Sequence, residues 1–144
     1  MYKRQSHAIS TARTISKHIK AENVTRKKSG LEPIRVRIGI HTGRVVVGNI
    51  GGGGRQNFTI VGDAVNIAQR LEQLGKEISA GQEVITLMSK QVSEGANNPD
   101  DINSVGSWPL RGREKPVSVF AFADDMLNEN NGLSASLQQK AEVG

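Results

Sequence analysis

Apolar positions recur along this chain with two periods, and the switches between them outline its elements. Near the start, Ala8, Ala12, Ile15 and Ile19 fall at helical spacing while Arg13, Lys17 and Lys20 lie elsewhere around the axis, which predicts a surface helix with one buried stripe. After Gly30 and Pro33 the period becomes two. Ile34, Val36, Ile38 and Ile40 alternate with Arg35, Arg37, Gly39 and His41, the pattern of a half-buried strand. Residues 45–50 and 57–61 read as two further strands, and these strands are expected to form antiparallel hairpins. A packing helix is predicted from Asp63, with Ala64, Ile67, Ala68, Leu71 and Leu74 along one side, Asp63 as its cap and Gly75 near its end. Glu72 and Lys76 stand at the spacing of a helical ion pair. A strand over 83–87, a short helix over 89–94, a loop over 95–101 and strands over 104–110 and 116–122 complete the pattern, the last two joined by a charged turn over 111–115. Beyond Asp124 the chain turns polar and reads as a fraying tail.

Gly-rich turns ahead of a helix can cradle phosphate, and residues 51–54 are all glycine. The surroundings do not suit that role. A phosphate loop needs Lys and then Ser or Thr after its last glycine, whereas Gly54 is followed by Arg55 and Gln56. A dinucleotide fingerprint opens a helix directly, but here Phe58, Ile60 and Val61 intervene as a strand. The glycines are therefore read as a hairpin tip, with any chemistry downstream. On the helix that follows, Asp63, Asn66, Arg70 and Gln73 lie within about a quarter of the circumference. A solvated polar face accounts for that spacing. So does a small hydrogen-bonding fork of Asn66 one turn before Arg70. His41 has no second His, Asp or Glu at ligand spacing beside it and is read as structural.

Composition narrows the classes further. At 144 residues the chain has the size of one domain with a modest core, and without cysteine it has neither disulfides nor thiolate chemistry. No apolar run approaches the roughly 18 residues of a membrane span, and no apolar signal core opens the chain. The net charge is +5, concentrated in residues 1–45, where only Glu22 and Glu32 oppose it. With one Trp, one Tyr and three Phe there is no basic and aromatic platform for stacking bases, so no nucleic-acid partner is expected.

Three stretches carry a family resemblance: IRVRIGIHTGRVVVGNIG, then FTIVGDAVNIAQRLE with its GDxVNxAxR pattern, and later PLRGREKPVSVFAF. In that order, across about residues 34–122, they resemble the second half of a class III nucleotidyl cyclase catalytic domain. The resemblance implies an α/β fold with a ferredoxin-like core. It also implies conversion of ATP or GTP to the cyclic 3′,5′-monophosphate and pyrophosphate at a head-to-tail dimer interface. Asn66 matches the family's ribose-orienting Asn, and Arg70 the Arg that stabilises the transition state. Arg113 matches a basic position that binds the terminal phosphates. Thr59 matches the purine-reading position, where Thr favours adenine, so the implied substrate is ATP and the product cyclic AMP. The implied setting is cytoplasmic, with a homodimer or a heterodimer with another cyclase protomer, and any membrane attachment through regions outside this chain.

The family's first half, with its two metal-binding carboxylates and base-contacting Lys, has no counterpart here, and no acidic residue replaces them. The two Mg²⁺ or Mn²⁺ ions expected in a full enzyme thus find no ligands in this chain, which is expected to be inactive alone. With GTG taken as a start codon, residues 1–5 can be encoded by GTG TAT AAG AGA CAG, which reads like the end of a transposon adapter. They are expected to be a non-native leader, with residues 6–123 the cyclase portion and 124–144 a polar tail. A true truncation or one half of a split enzyme is the competing account. Two further functions stay open, a degenerate cyclase-like module that binds nucleotide or regulates a partner by dimerisation, and a guanylate cyclase.

Overall fold

The computed structural model describes residues 3–49, 53–54, 57–79 and 81–126. The chain runs α1 (Lys3–Lys28), β1 (Val36–Ile40), β2 (Val46–Asn49), β3 (Phe58–Val61), α2 (Asp63–Ile78), β4 (Val84–Ser89), α3 (Lys90–Gly95), β5 (Ile102–Trp108), β6 (Val117–Phe122) and α4 (Ala123–Met126). Among the described residues four strands form one sheet in the order β1-β4-β6-β5, and β2 and β3 form a separate antiparallel ribbon. The expected hairpins are therefore only partly realised. β1 pairs in parallel with β4, Val36 opposite Val84, because α2 crosses between them, whereas β2 with β3 and β5 with β6 make antiparallel hairpins. On its other edge β1 has no strand partner among the described residues.

β4 is buried at all six positions, as suits a central strand covered on both faces. On one face Ile85 and Leu87 meet Ile67, Leu71, Leu74 and Ile78 of α2, together with Trp108, Leu110, Val119 and Ala121. Each fully buried aliphatic side chain contributes about 1.5–3 kcal/mol. On the other face Met88, Val92, Ile102 and Phe122 pack on Ile9 and Ala12 of α1, with Ile38 and Ile40 of β1 partly buried beside them.

The stripe predicted for α1 is rotated. Its buried residues are Ile9, Ala12, Ser16 and Asn23, whereas Ile15 is exposed. Asn23 sits inside because it bonds there: Asn23 Nδ2 donates to the Ile34 carbonyl at 2.8 Å, and the Ile34 amide donates to Asn23 Oδ1 at 2.6 Å. Nor does α2 end at Gly75. It continues to Ile78, and Gly75 is buried in its interior, where a side chain would meet Arg37, Ile85 and Leu87. The polar side of β1 faces this helix. A β-carbon on Gly39 would lie 2.1 Å from the Ala68 carbonyl oxygen, so glycine there sets how closely α2 lies on the sheet. No ion pair joins Glu72 to Lys76 among the described residues, although Lys90 and Glu94 of α3 form one of the same spacing.

Candidate functional site

The close seating of α2 on β1 directs the other face of the helix outward, with Asn66 exposed and Arg70 half-buried one turn further on. Asp63 is not the cap. Gly62 occupies that position without a side-chain bond, and Asp63 is the first helical residue. Its carboxylate is thereby free to reach the turn between β5 and β6, where Arg113 Nη1 donates to Asp63 Oδ2 at 3.1 Å. The turn is closed by the Arg113 amide bonding the Leu110 carbonyl at 3.0 Å, and it needs Gly112 at φ 86°. A β-carbon on Gly112 would stand 4.0 Å from Arg70 Nη2, so the two guanidinium-bearing segments lie side by side. The side chains of Asn66 and Arg70 have no hydrogen-bond partner among the described residues and remain available as donors.

His41, read from the sequence as structural, stands in this group. Its Nδ1 lies 2.7 Å from Ser89 Oγ at the end of β4. Burial, and then the positive charge of Arg113, push its pKa below the ordinary value, with Asp63 opposing, so the neutral imidazole is favoured. The sequence offered no cue to this, because Ser89 and Arg113 are distant along the chain.

Thr59 lies on the ribbon, half-buried and paired opposite Gly48. No hydrogen bond or ion pair among the described residues joins it to Asn66, Arg70 or Arg113. What connects them is the chain itself, through Gly62 at φ 152°, where a β-carbon would lie 2.9 Å from the Arg44 carbonyl oxygen. The structure thus brings together Asp63, Arg70 and Arg113, adds His41, and leaves Thr59 on a separate element. Of the glycine tip, only Gly53 and Gly54 lie within the described residues. Around the ribbon Val46, Val47, Phe58 and Ile60 are all exposed.

This arrangement can bind and polarise phosphate through Arg70 and Arg113 and can orient a hydroxyl-bearing group through Asn66. It does not fit a metal ion. Among the described residues no three His, Cys, Asp or Glu side chains converge, and the Asp63 carboxylate is engaged by Arg113. No helix among them is long and apolar enough to cross a membrane.

The family profile described as "Adenylate and Guanylate cyclase catalytic domain" matches residues 2–123. The chain is 32% identical over 114 residues to adenylate cyclase 1 of Rhizobium meliloti (strain 1021), covering 79% of this chain and 16% of the relative. It is 33% identical over 96 residues to an adenylate cyclase of Anabaena cylindrica, covering 65% and 18%. It therefore spans under a fifth of the length of these curated relatives. Among solved structures it resembles the adenylyl cyclase CyaB from P. aeruginosa (TM-score 0.71, 25% identity, 90% of this chain and 62% of that one). It also resembles the guanylyl cyclase Cya2 (TM-score 0.69, 27% identity, 93% and 64%). The mixed sheet with α2 across it accords with the ferredoxin-like fold of these cyclase domains.

Proposed function

Since the chain belongs to the adenylate and guanylate cyclase catalytic domain family, we propose that it supplies one face of a composite site converting ATP to 3′,5′-cyclic AMP and pyrophosphate at a dimer interface. The observation that carries this reading is the approach of Arg70 to the Gly112–Arg113 turn, which sets two guanidinium groups along one path. In the reaction the ribose 3′-oxygen bonds to the α-phosphorus and the bond from that phosphorus to the β-phosphate bridging oxygen breaks. The hydroxyl proton passes to solvent and pyrophosphate departs. Asn66 orients the ribose, Arg70 stabilises charge growing on the phosphoryl oxygens, and Arg113 holds the terminal phosphates. Thr59 presents a hydroxyl to the purine edge. The divalent ions that cyclases use are expected to come with the partner protomer. The exposed apolar ribbon supports a protomer covering that surface. A cytoplasmic setting, where ATP is abundant, belongs to the same proposal.

The test mixes this chain with a cyclase protomer that keeps its metal carboxylates but carries Ala at its own ribose-orienting Asn and transition-state Arg. Cyclic AMP should form with manganese in the mixture and in neither chain alone. Activity of the purified chain by itself, abolished by Arg70→Ala, would overturn the composite reading. The likeness to the guanylyl cyclase Cya2 favours a second reading, with GTP as substrate. Kinetics with both nucleotides decide between them, and a higher kcat/KM for GTP would reject the adenylate assignment.

A further inference from the structure

A cleft of about 570 Å³ opens beside Arg113 and is lined by His41, Lys90, Gly112, Arg113, Lys115 and Ser118 among others. Neither Arg70 nor Asn66 lines it. Gly112 therefore faces two places at once, its side-chain position turned to the Arg70 guanidinium, where a β-carbon would stand 4.0 Å from Nη2, and its segment forming a wall of the cleft together with Arg113. Its volume falls in the range of small-molecule sites. Lys90, Arg113 and Lys115 place three basic side chains against a single lining carboxylate, Glu114, with Arg113 also paired to Asp63 from outside the cleft. Among the described residues Lys90 is paired with Glu94 alone, at 3.5 Å, in a pair more than half exposed on both sides, and such a pair is readily exchanged for a stronger anion. His41 stands at the wall with Nδ1 turned to Ser89.

We propose that Lys90 and Lys115 make this cleft a seat for the departing pyrophosphate, which passes to it from Arg113. The proposal rests on the cyclase reading in one respect, that the terminal phosphates are held at Arg113. Once the α-phosphorus bond is broken, the β- and γ-phosphates leave as a multiply charged anion already beside the cleft. Its oxygens can exchange Arg113 for the two ammonium groups without crossing the Arg70 face. Lys90 and Lys115 are then product-binding residues, distinct from the groups that act on the α-phosphate.

The experiment titrates metal-free inorganic pyrophosphate, and separately inorganic phosphate, into the full 144-residue chain by calorimetry. Pyrophosphate should bind more tightly than phosphate. Lys90→Ala and Lys115→Ala should each weaken pyrophosphate binding about 3- to 10-fold, from loss of one charge-assisted contact. Lys90→Arg should restore it, and Lys27→Ala, at the far end of α1, should leave it unchanged. All three positions are exposed, and circular dichroism checks that each variant folds like the wild type. Absence of pyrophosphate binding, indifference to Lys90 and Lys115, or equal loss with Lys27→Ala would each overturn the seat. The mixed-protomer assay separates this outcome from the wider reading. Cyclic AMP formation without Lys90-dependent binding sinks the seat alone, whereas Lys90-dependent binding in a chain that never supports cyclisation sinks the cyclase reading and leaves a pyrophosphate site with no part in product release.

Discussion

A guanidinium lowers a barrier most when it is in place before charge develops, because no reorganisation is then needed. Arg70 meets that condition through its neighbours, half-buried on a helix anchored at Gly39 and lying against Gly112. Arg70→Ala in the mixed-protomer assay should lower kcat about 10²- to 10³-fold with KM comparatively unchanged. Turnover at the wild-type rate would return the residue to a solvated helix face. His41 makes a second prediction at this scale. Its pKa is depressed in the fold, so the unfolded chain binds the proton more readily as pH falls through the ordinary histidine value of 6.5. The stability it supports is present above that value and is lost as pH falls below it. Thermal melts above and below that pH should show a smaller loss for His41→Gln than for the wild type, and parallel curves would show that the imidazole is not the titrating group.

Elements with an uninterrupted apolar period are legible in the sequence. The α2 stripe of Ile67, Leu71 and Leu74, and the strands at 84–89 and 117–122, sit where the alternation places them, within a residue or two. What periodicity misses are positions whose reason is a distant partner. Ser16 and Asn23 look like surface residues until Asn23 is seen clasping Ile34, and Gly75 looks like a helix stop until β4 and Arg37 are seen against it. Parallel pairing of β1 with β4 is hidden for the same reason, since periodicity does not encode which strand lies beside which. Asn66, Arg70, Arg113 and Thr59 are proposed for the site only through the family motif, while the link of Asp63 to Arg113 depends on a helix start and a turn meeting in space. Gly39→Ala tests the element scale. A methyl there meets the backbone of Ala68 and Glu72, which cannot swing aside as a side chain could. The substitution should cost about 3 kcal/mol in chemical denaturation, at the upper end of overpacking effects, and should lower activity in the mixed assay through displacement of α2. An unchanged denaturation midpoint would mean that the helix and β1 are less closely held than described.

At the scale of the molecule, α1 is fastened to the sheet by polar contacts around its apolar stripe. Arg13 bonds Asp101 and stacks over the Phe122 ring, Lys27 pairs with Glu83, and Lys20 reaches Asp125 at 3.1 Å. Asp125 is nearly inaccessible and also accepts the Thr86 amide at 3.0 Å, tying α4 to the central strand. The open edge of β1 and the bare ribbon are not covered in this way. The isolated chain should therefore self-associate as its concentration rises, through apolar surface and unpaired strand backbone. Sedimentation at increasing concentration checks this, and a monomer throughout would show that these surfaces are too small to hold a second copy.

Only Ile60, Val61 and Gly62 separate Thr59 from the first residue of α2. In the proposed site the short connector acts as a ruler, fixing the reach between the purine at one end and the phosphates at the other. Its glycine, held against Arg44, leaves little slack for adjustment. Lengthening the ruler by a single residue would leave Thr59, Asn66 and Arg70 chemically intact yet out of step. The enzyme would then lose turnover with ATP and GTP alike rather than trade one base for the other.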